Sequence, residues 1–207
     1  MATRTLDELK TIKKEVDESA IRKAIIDFFD EMDVDDVNKR TELAINLERI
    51  FRDLFYLAII GETSREELIA RLISEYSQEI VASGYRPNYA HIERVCEDVV
   101  DNTLEKIDTP YMTSTDRSIL IAETETNNVA NNDALEEAKA NGMTEKIWVT
   151  MADPKVRLTH MVIDGMTIGI DDLFEVGEAQ MRFPCDEEFA YDSPQETVNC
   201  RCHLEFQ

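Results

Sequence analysis

An α+β fold is the class the sequence predicts, with an N-terminal helical bundle region followed by a small mixed α+β C-terminal domain. Two patterns predict it. Through the first half, apolar residues recur at three- and four-residue spacing, the signature of amphipathic helices. Past Gly142 the spacing changes to a strand-like run, Lys146-Ile147-Trp148-Val149-Thr150-Met151, and to short segments separated by turn residues. Between the two, Asp108-Thr109-Pro110 breaks the helical pattern, because proline cannot continue a helix. The boundary is therefore drawn at residues 1–110 and 111–207. With 207 residues, 43% of them hydrophobic, the chain can bury one core or two small ones.

The elements follow in order. Ile21, Ile25, Phe28, Phe29 and Met32 define one face of a helix over Ser19 to Met32. A longer stripe, Leu43, Leu47, Ile50, Phe51, Leu54, Phe55 and Ala58, runs from about Val34 to Ile60, and Gly61 ends it. Ser64 and Glu67 then form a capping-box pattern ahead of Leu68, Ile69, Leu72, Ile73, Tyr76 and Ile80. After the break at Gly84 to Pro87, Ile92, Val95, Cys96, Val99 and Leu104 give a fourth helix. Asp116 opens a further helix through Ile119, Ala122, Val129, Ala130, Leu135 and Ala138, ending at Asn141-Gly142. In the remainder, Asp153-Pro154, Asp164-Gly165 and Gly169 read as turns. Trp148, Val149, Val156, Ile163, Ile168, Leu173, Phe174 and Phe183 are the candidate core.

Charge narrows the function classes. Twenty-two Lys and Arg stand against 44 Asp and Glu, a formal charge of −22. The imbalance is shared, with 15 basic and 25 acidic side chains in residues 1–110 and 7 and 19 in the rest. Such a surface repels a phosphate backbone, so direct electrostatic binding to nucleic acid is disfavoured. Solubility and self-repulsion account for the acidity more simply than a basic partner does. No run of eighteen apolar residues occurs, and the opening Met1 to Glu8 lacks the apolar core of a signal peptide, so no membrane partner is expected. The four cysteines, Cys96, Cys185, Cys200 and Cys202, are too unevenly placed for a secreted disulfide scaffold and fit reduced thiols or a metal site.

The C-terminal ninety residues carry an ordered series: Ile121-Ala122-Glu123-Thr124-Glu125, Gly142, Trp148-Val149-Thr150, Asp153, Val156-Arg157, His160, Asp164-Gly165, Phe174, Pro184 and Asn199-Cys200-Arg201-Cys202. In order and spacing this series resembles the C-terminal domain of the phage Mu F-like head morphogenesis family, over about residues 115 to 205. The resemblance implies a minor capsid component that is not an enzyme. It would be encoded beside the portal protein, enter the procapsid in few copies and act in assembly and in DNA packaging or delivery. It further implies the portal or other head proteins as partners, and a place in the virion head after synthesis in the bacterial host cytoplasm. Residues 1–110 are the candidate partner surface. Two positions depart from the family pattern: Glu123 stands where a basic residue is expected, and Cys185 where a glycine is expected after proline.

His160, Cys185, Cys200 and Cys202 together offer one imidazole and three thiols, the ligand set of a closed, structural zinc site, with His203 as substitute ligand. Cys200-Arg201-Cys202 has one intervening residue rather than two to four, but in an extended chain i and i+2 share a face, so both thiols could reach one ion. Small buried cysteines, or a disulfide between Cys185 and Cys200, are the alternatives to a structural zinc. Arg157 and Asp164 flank His160 and read as turn-pinning residues rather than acid–base partners, and Asn199 as a turn residue. From a different class, Thr113-Ser114-Thr115 and Glu123-Thr124-Glu125 superficially resemble elements of ADP-ribosyltransferases. Thr115 and Glu123 are only eight positions apart, and an E-x-E tripeptide in an acid-rich chain reads first as a solvated helical face.

Overall fold

The computed structural model describes residues 16–207; the opening octapeptide examined for a targeting signal lies outside them. Helices dominate and short antiparallel sheets are confined to the C-terminal part, as expected of an α+β chain. The helices are α1 (Glu18–Asp30), α2 (Val37–Ile60), α3 (Arg65–Ala82), α4 (Tyr89–Glu105) and α5 (Thr115–Ala140), with a 3-10 turn at Pro110–Thr113. Beyond them come β1 (Glu145–Val149), the short helix α6 (Leu158–Val162), β2 (Thr167–Gly169), β3 (Phe174–Val176), β4 (Ala179–Met181), the single turn α7 (Pro194–Thr197) and β5 (His203–Phe206).

The local signals act where the sequence places them. Gly61 takes a φ of +71°, a conformation only glycine adopts without cost, and α2 stops there. Ser64 accepts from the Glu67 amide while the Glu67 carboxylate accepts from the Ser64 amide, which satisfies two of the donors that a helix start leaves unpaired. Pro110 opens the 3-10 turn, and Ser114 caps α5 by accepting from the Arg117 amide at 3.2 Å.

Two compact units result. One comprises residues 16–27 and Thr41–Ala122, the other Phe28–Arg40 and Glu123–Gln207. These limits fall inside α1, α2 and α5.

In the first unit Leu43, Leu47, Phe51, Leu54, Phe55, Leu68, Leu72, Tyr76, Ile80, Ile92 and Cys96 are buried, and the rings of Phe51 and Tyr76 meet edge to face at 5.8 Å. Its buried charges are paired: Glu48 accepts from Arg52 at 2.9 Å and from the Ser118 hydroxyl at 2.7 Å. Arg117 donates to Thr103 and to the Met112 carbonyl and lies 4.9 Å over the Phe55 ring.

In the second unit β1 is the centre of a three-stranded sheet of order β2-β1-β5, antiparallel throughout, with Trp148 opposite Leu204 and Val149 opposite His203. A separate hairpin pairs β3 with β4. Trp148, Ile163, Phe174 and Phe183 of the candidate core are fully enclosed, while Val149, Val156, Ile168 and Leu173 are half-buried. Strand alternation turns Lys146 inward with Trp148; its Nζ finds no hydrogen-bond acceptor and sits 5.5 Å from the Phe174 ring centre. Cys185, Cys200 and Cys202 belong to this same core.

Candidate metal centre

Helix α6 is held in place by one residue. Of its five side chains only His160 is buried, and Leu158 and Val162 are 80% and 78% exposed. Apolar burial therefore does not seat this helix; the contacts of the imidazole do. Its Nδ1 lies 3.4 Å from the Cys202 sulfur and 3.5 Å from the Cys200 sulfur. On the other side Nε2 lies 3.2 Å from a Glu196 carboxylate oxygen, which also accepts the Thr159 hydroxyl at 2.7 Å. Donation of Nε2–H to Glu196 fixes the tautomer that turns the Nδ1 lone pair toward the two sulfurs. Trp148 meets the imidazole edge to face with 5.4 Å between ring centres.

Ligand atoms of His160, Cys200 and Cys202 all lie within 4.8 Å of one another, and all three residues are buried. Cys185 stands outside that trio and reaches it through Cys200: its sulfur donates to the Cys200 carbonyl at 3.5 Å, and the two thiols interact directly. All four cysteines are free thiols. Cys96 lies on α4 in the other unit.

One negative charge is easily placed on this cluster and three are not. The Cys185 thiol, then the Cys202 thiol, donate to the Cys200 sulfur and hold it well below the usual thiol range. Burial and the bond to Cys200 push Cys185 well up, and the bond to Cys200 followed by burial pushes Cys202 up.

The backbone that presents the sulfurs is left-handed at two residues that carry a Cβ. Cys185 has φ +68° and Asn199, just before Cys200, has φ +56°. For a residue with a Cβ the left-handed region costs on the order of 1 kcal/mol or more, so the position where a glycine is expected carries a thiol against its conformational preference. Arg182 pins the Cys185 turn, donating through its amide and guanidinium to the buried carboxylate of Asp186 at 2.7 to 3.0 Å. Arg157 donates to the Val198 carbonyl and fixes the approach to Cys200.

The part that sequence reasoning missed is a ladder of amides on α5. Every residue from Ala122 to Asn131 is buried. The Asn127 amide donates to the carbonyls of Cys200 at 2.7 Å and Cys202 at 3.2 Å, and lies 3.7 Å from the Cys185 sulfur. Asn128 donates to the Cys185 carbonyl at 2.6 Å, and Asn131 to those of Pro184 at 3.2 Å and Cys202 at 3.3 Å. Thr124 accepts the Asn199 amide at 3.2 Å, and Arg40 donates to the Asn127 side-chain oxygen. Each cysteine-bearing loop thus satisfies its carbonyls on one helix. Asparagine and threonine are poor helix formers, so their concentration in α5 was the available signal that tertiary bonds hold this segment.

The sequence expectations around the cluster fare differently. Glu123 and Glu125 do not lie on a solvated face; both are buried, and burial pushes the Glu123 carboxyl up to about 8. As expected, Arg157, His160 and Asp164 form no acid–base trio: Asp164 accepts the Thr150 amide at 2.8 Å, Arg157 donates to the Val198 carbonyl, and the partner of His160 is Glu196. His203 is buried but is not among the clustered ligand atoms, its neighbour Cys202 being the residue turned toward His160. Thr113 ends the 3-10 turn, Ser114 caps α5 and Thr115 begins it, and Glu123 and Glu125 lie about two turns further along that helix, so no strand separates the elements that resemble a transferase.

A family model described as Phage Mu protein F like protein matches residues 64–205. The chain belongs to that family. The Mu F-like match begins well before the region read from the motifs and takes in α3 and α4 as well as the whole Cys/His cluster. No curated protein and no solved structure matches the chain. Membership in the Mu F-like family suggests a phage head morphogenesis protein, and such proteins are typically structural rather than enzymatic. Among the described residues no helix is long and apolar enough to cross a membrane.

Proposed function

We propose that the protein is a minor capsid component of a tailed phage or prophage, acting beside the portal in procapsid assembly and in DNA packaging or delivery. The Mu F-like match over residues 64–205 carries this reading. Physical chemistry supports it from two directions. A net charge of −22 makes other head proteins better partners than the packaged DNA. The carboxylate beside the buried imidazole is engaged in holding structure: Glu196 binds His160 and Thr159.

The reading is tested in the phage or prophage that encodes the chain. Quantitative mass spectrometry of purified procapsids and virions should find the protein in few copies relative to the major capsid protein, and a nonsense mutation in its gene should lower the yield of filled, infectious heads. Normal yields of infectious particles from the mutant, or particles that never contain the protein, would overturn it.

A further inference from the structure

We propose that His160, Cys185, Cys200 and Cys202 bind one structural zinc ion through Nδ1 and three thiolates, with Glu196 and Thr159 positioning the imidazole. Distances support the ion first. Two ligands at about 2.0 Å and about 2.3 Å from one zinc, at the tetrahedral angle, stand roughly 3.5 Å apart. The Nδ1 to sulfur separations are 3.4 and 3.5 Å. A ring nitrogen held at this spacing from two sulfurs at once, with its own proton committed to a carboxylate on the far side, is the arrangement of a metal ligand rather than of a packed histidine.

The fourth ligand is Cys185. Its thiol contacts Cys200, and its backbone occupies a left-handed conformation that a glycine would adopt without cost. Soft thiolates with one imidazole, all from the protein and all buried, select zinc and leave no open coordination position, so the site is structural and supplies no catalytic water. On binding, the thiols lose their protons to solvent and no electron moves. The surroundings suit the charge that remains on zinc with three thiolates: the Asn127 amide faces the Cys185 sulfur, and Arg157 lines a small cleft that adjoins His160, Cys200 and Cys202 and gives the ion a way in.

Gly177 completes the support. A Cβ there would come within 2.8 Å of a Glu196 oxygen and 3.0 Å of the Thr159 methyl, the two residues that steer His160.

The experiment is metal analysis of the full chain, purified under reducing conditions without chelator, then stripped and refilled with zinc or cobalt(II). One zinc per chain is expected, and the cobalt form should show tetrahedral visible bands with charge-transfer intensity for three thiolates. Glu196→Gln should weaken zinc binding about 10- to 100-fold while keeping its stoichiometry at saturation. A chain that binds no stoichiometric metal after refilling overturns the site, as does a native Cys185–Cys200 disulfide, seen as a mass lower by two hydrogens. Cobalt intensity for two thiolates overturns the role of Cys185. The cobalt spectrum of the unaltered chain decides the matter even if cysteine variants fail to fold. Metal content is read without any head being assembled, so failure here and failure of the proposed head role are distinguishable.

Discussion

Leu47, Phe51 and Ile92 belong to a broad apolar core in the helical unit, whereas the C-terminal unit is built around Cys185, Cys200, Cys202 and His160 and tied to α5 by amide bonds. The difference follows from what each stretch of sequence can bury. Long helices present an apolar stripe of many residues, so neighbouring helices close over it by the hydrophobic effect. The C-terminal strands are three to five residues long, and α6 buries one side chain. Short elements enclose little apolar surface, so polar networks, and the zinc ion proposed above, take over the task of ordering them.

The comparison can be broken most forcefully by removing metal. Stripping the chain with chelator under reducing conditions should melt the C-terminal unit at a temperature far below that of the zinc-loaded chain and leave the helical unit's transition in place, followed by circular dichroism for the helices and Trp148 fluorescence for the sheet. Next come single core truncations. Trp148→Ala and Phe51→Ala should each cost about 3–5 kcal/mol in denaturant unfolding, but only Trp148→Ala should also weaken zinc retention, since only Trp148 packs on His160. A weaker but more diagnostic change is Asn127→Ala, which removes the amide donor of the Cys200 carbonyl and one of the two amide donors of the Cys202 carbonyl. It should cost about 2–3 kcal/mol.

Smaller effects sharpen the electrostatics. A buried Glu123 keeps its proton up to about 8 in the folded chain, against a reference value of 4.5. Between those values the unfolded state holds fewer protons, so stability should fall as pH rises from about 4.5 to about 8. Glu123→Gln should flatten that fall and stabilise the chain at pH 8 by on the order of 2 kcal/mol, measured as unfolding free energy across the range. Lys146, lowered to about 8 by burial, has no acceptor for its Nζ. Lys146→Met should raise stability at neutral pH by roughly 1 kcal/mol, and a loss of that size would show that its charge is paired.

What was legible in the sequence divides along the same line. Stripes, the Ser64–Glu67 capping box and the Gly61 stop are local patterns, and the first four helices appear close to where those patterns place them. His160 meeting Cys200 and Cys202 was legible because an i, i+2 pair near a turn has few ways to face. Glu196 and the asparagines of α5 were not: Glu196 acts on side chains 36 and 37 residues earlier, and the asparagines on carbonyls brought from loops more than fifty residues away in the chain. A polar run such as Glu123-Thr124-Glu125-Thr126-Asn127-Asn128 looks like a wet helix face until the loops that cover it are known.

Hydrogen exchange on the full chain, with zinc and with chelator, tests the difference between the two units most directly. Metal removal should strip protection from β1, α6 and the segment 184–206 while the amides of α3 and α4 keep theirs. Unchanged protection of the C-terminal segment in chelator would contradict a metal-ordered unit, and equal loss in both would contradict the division itself.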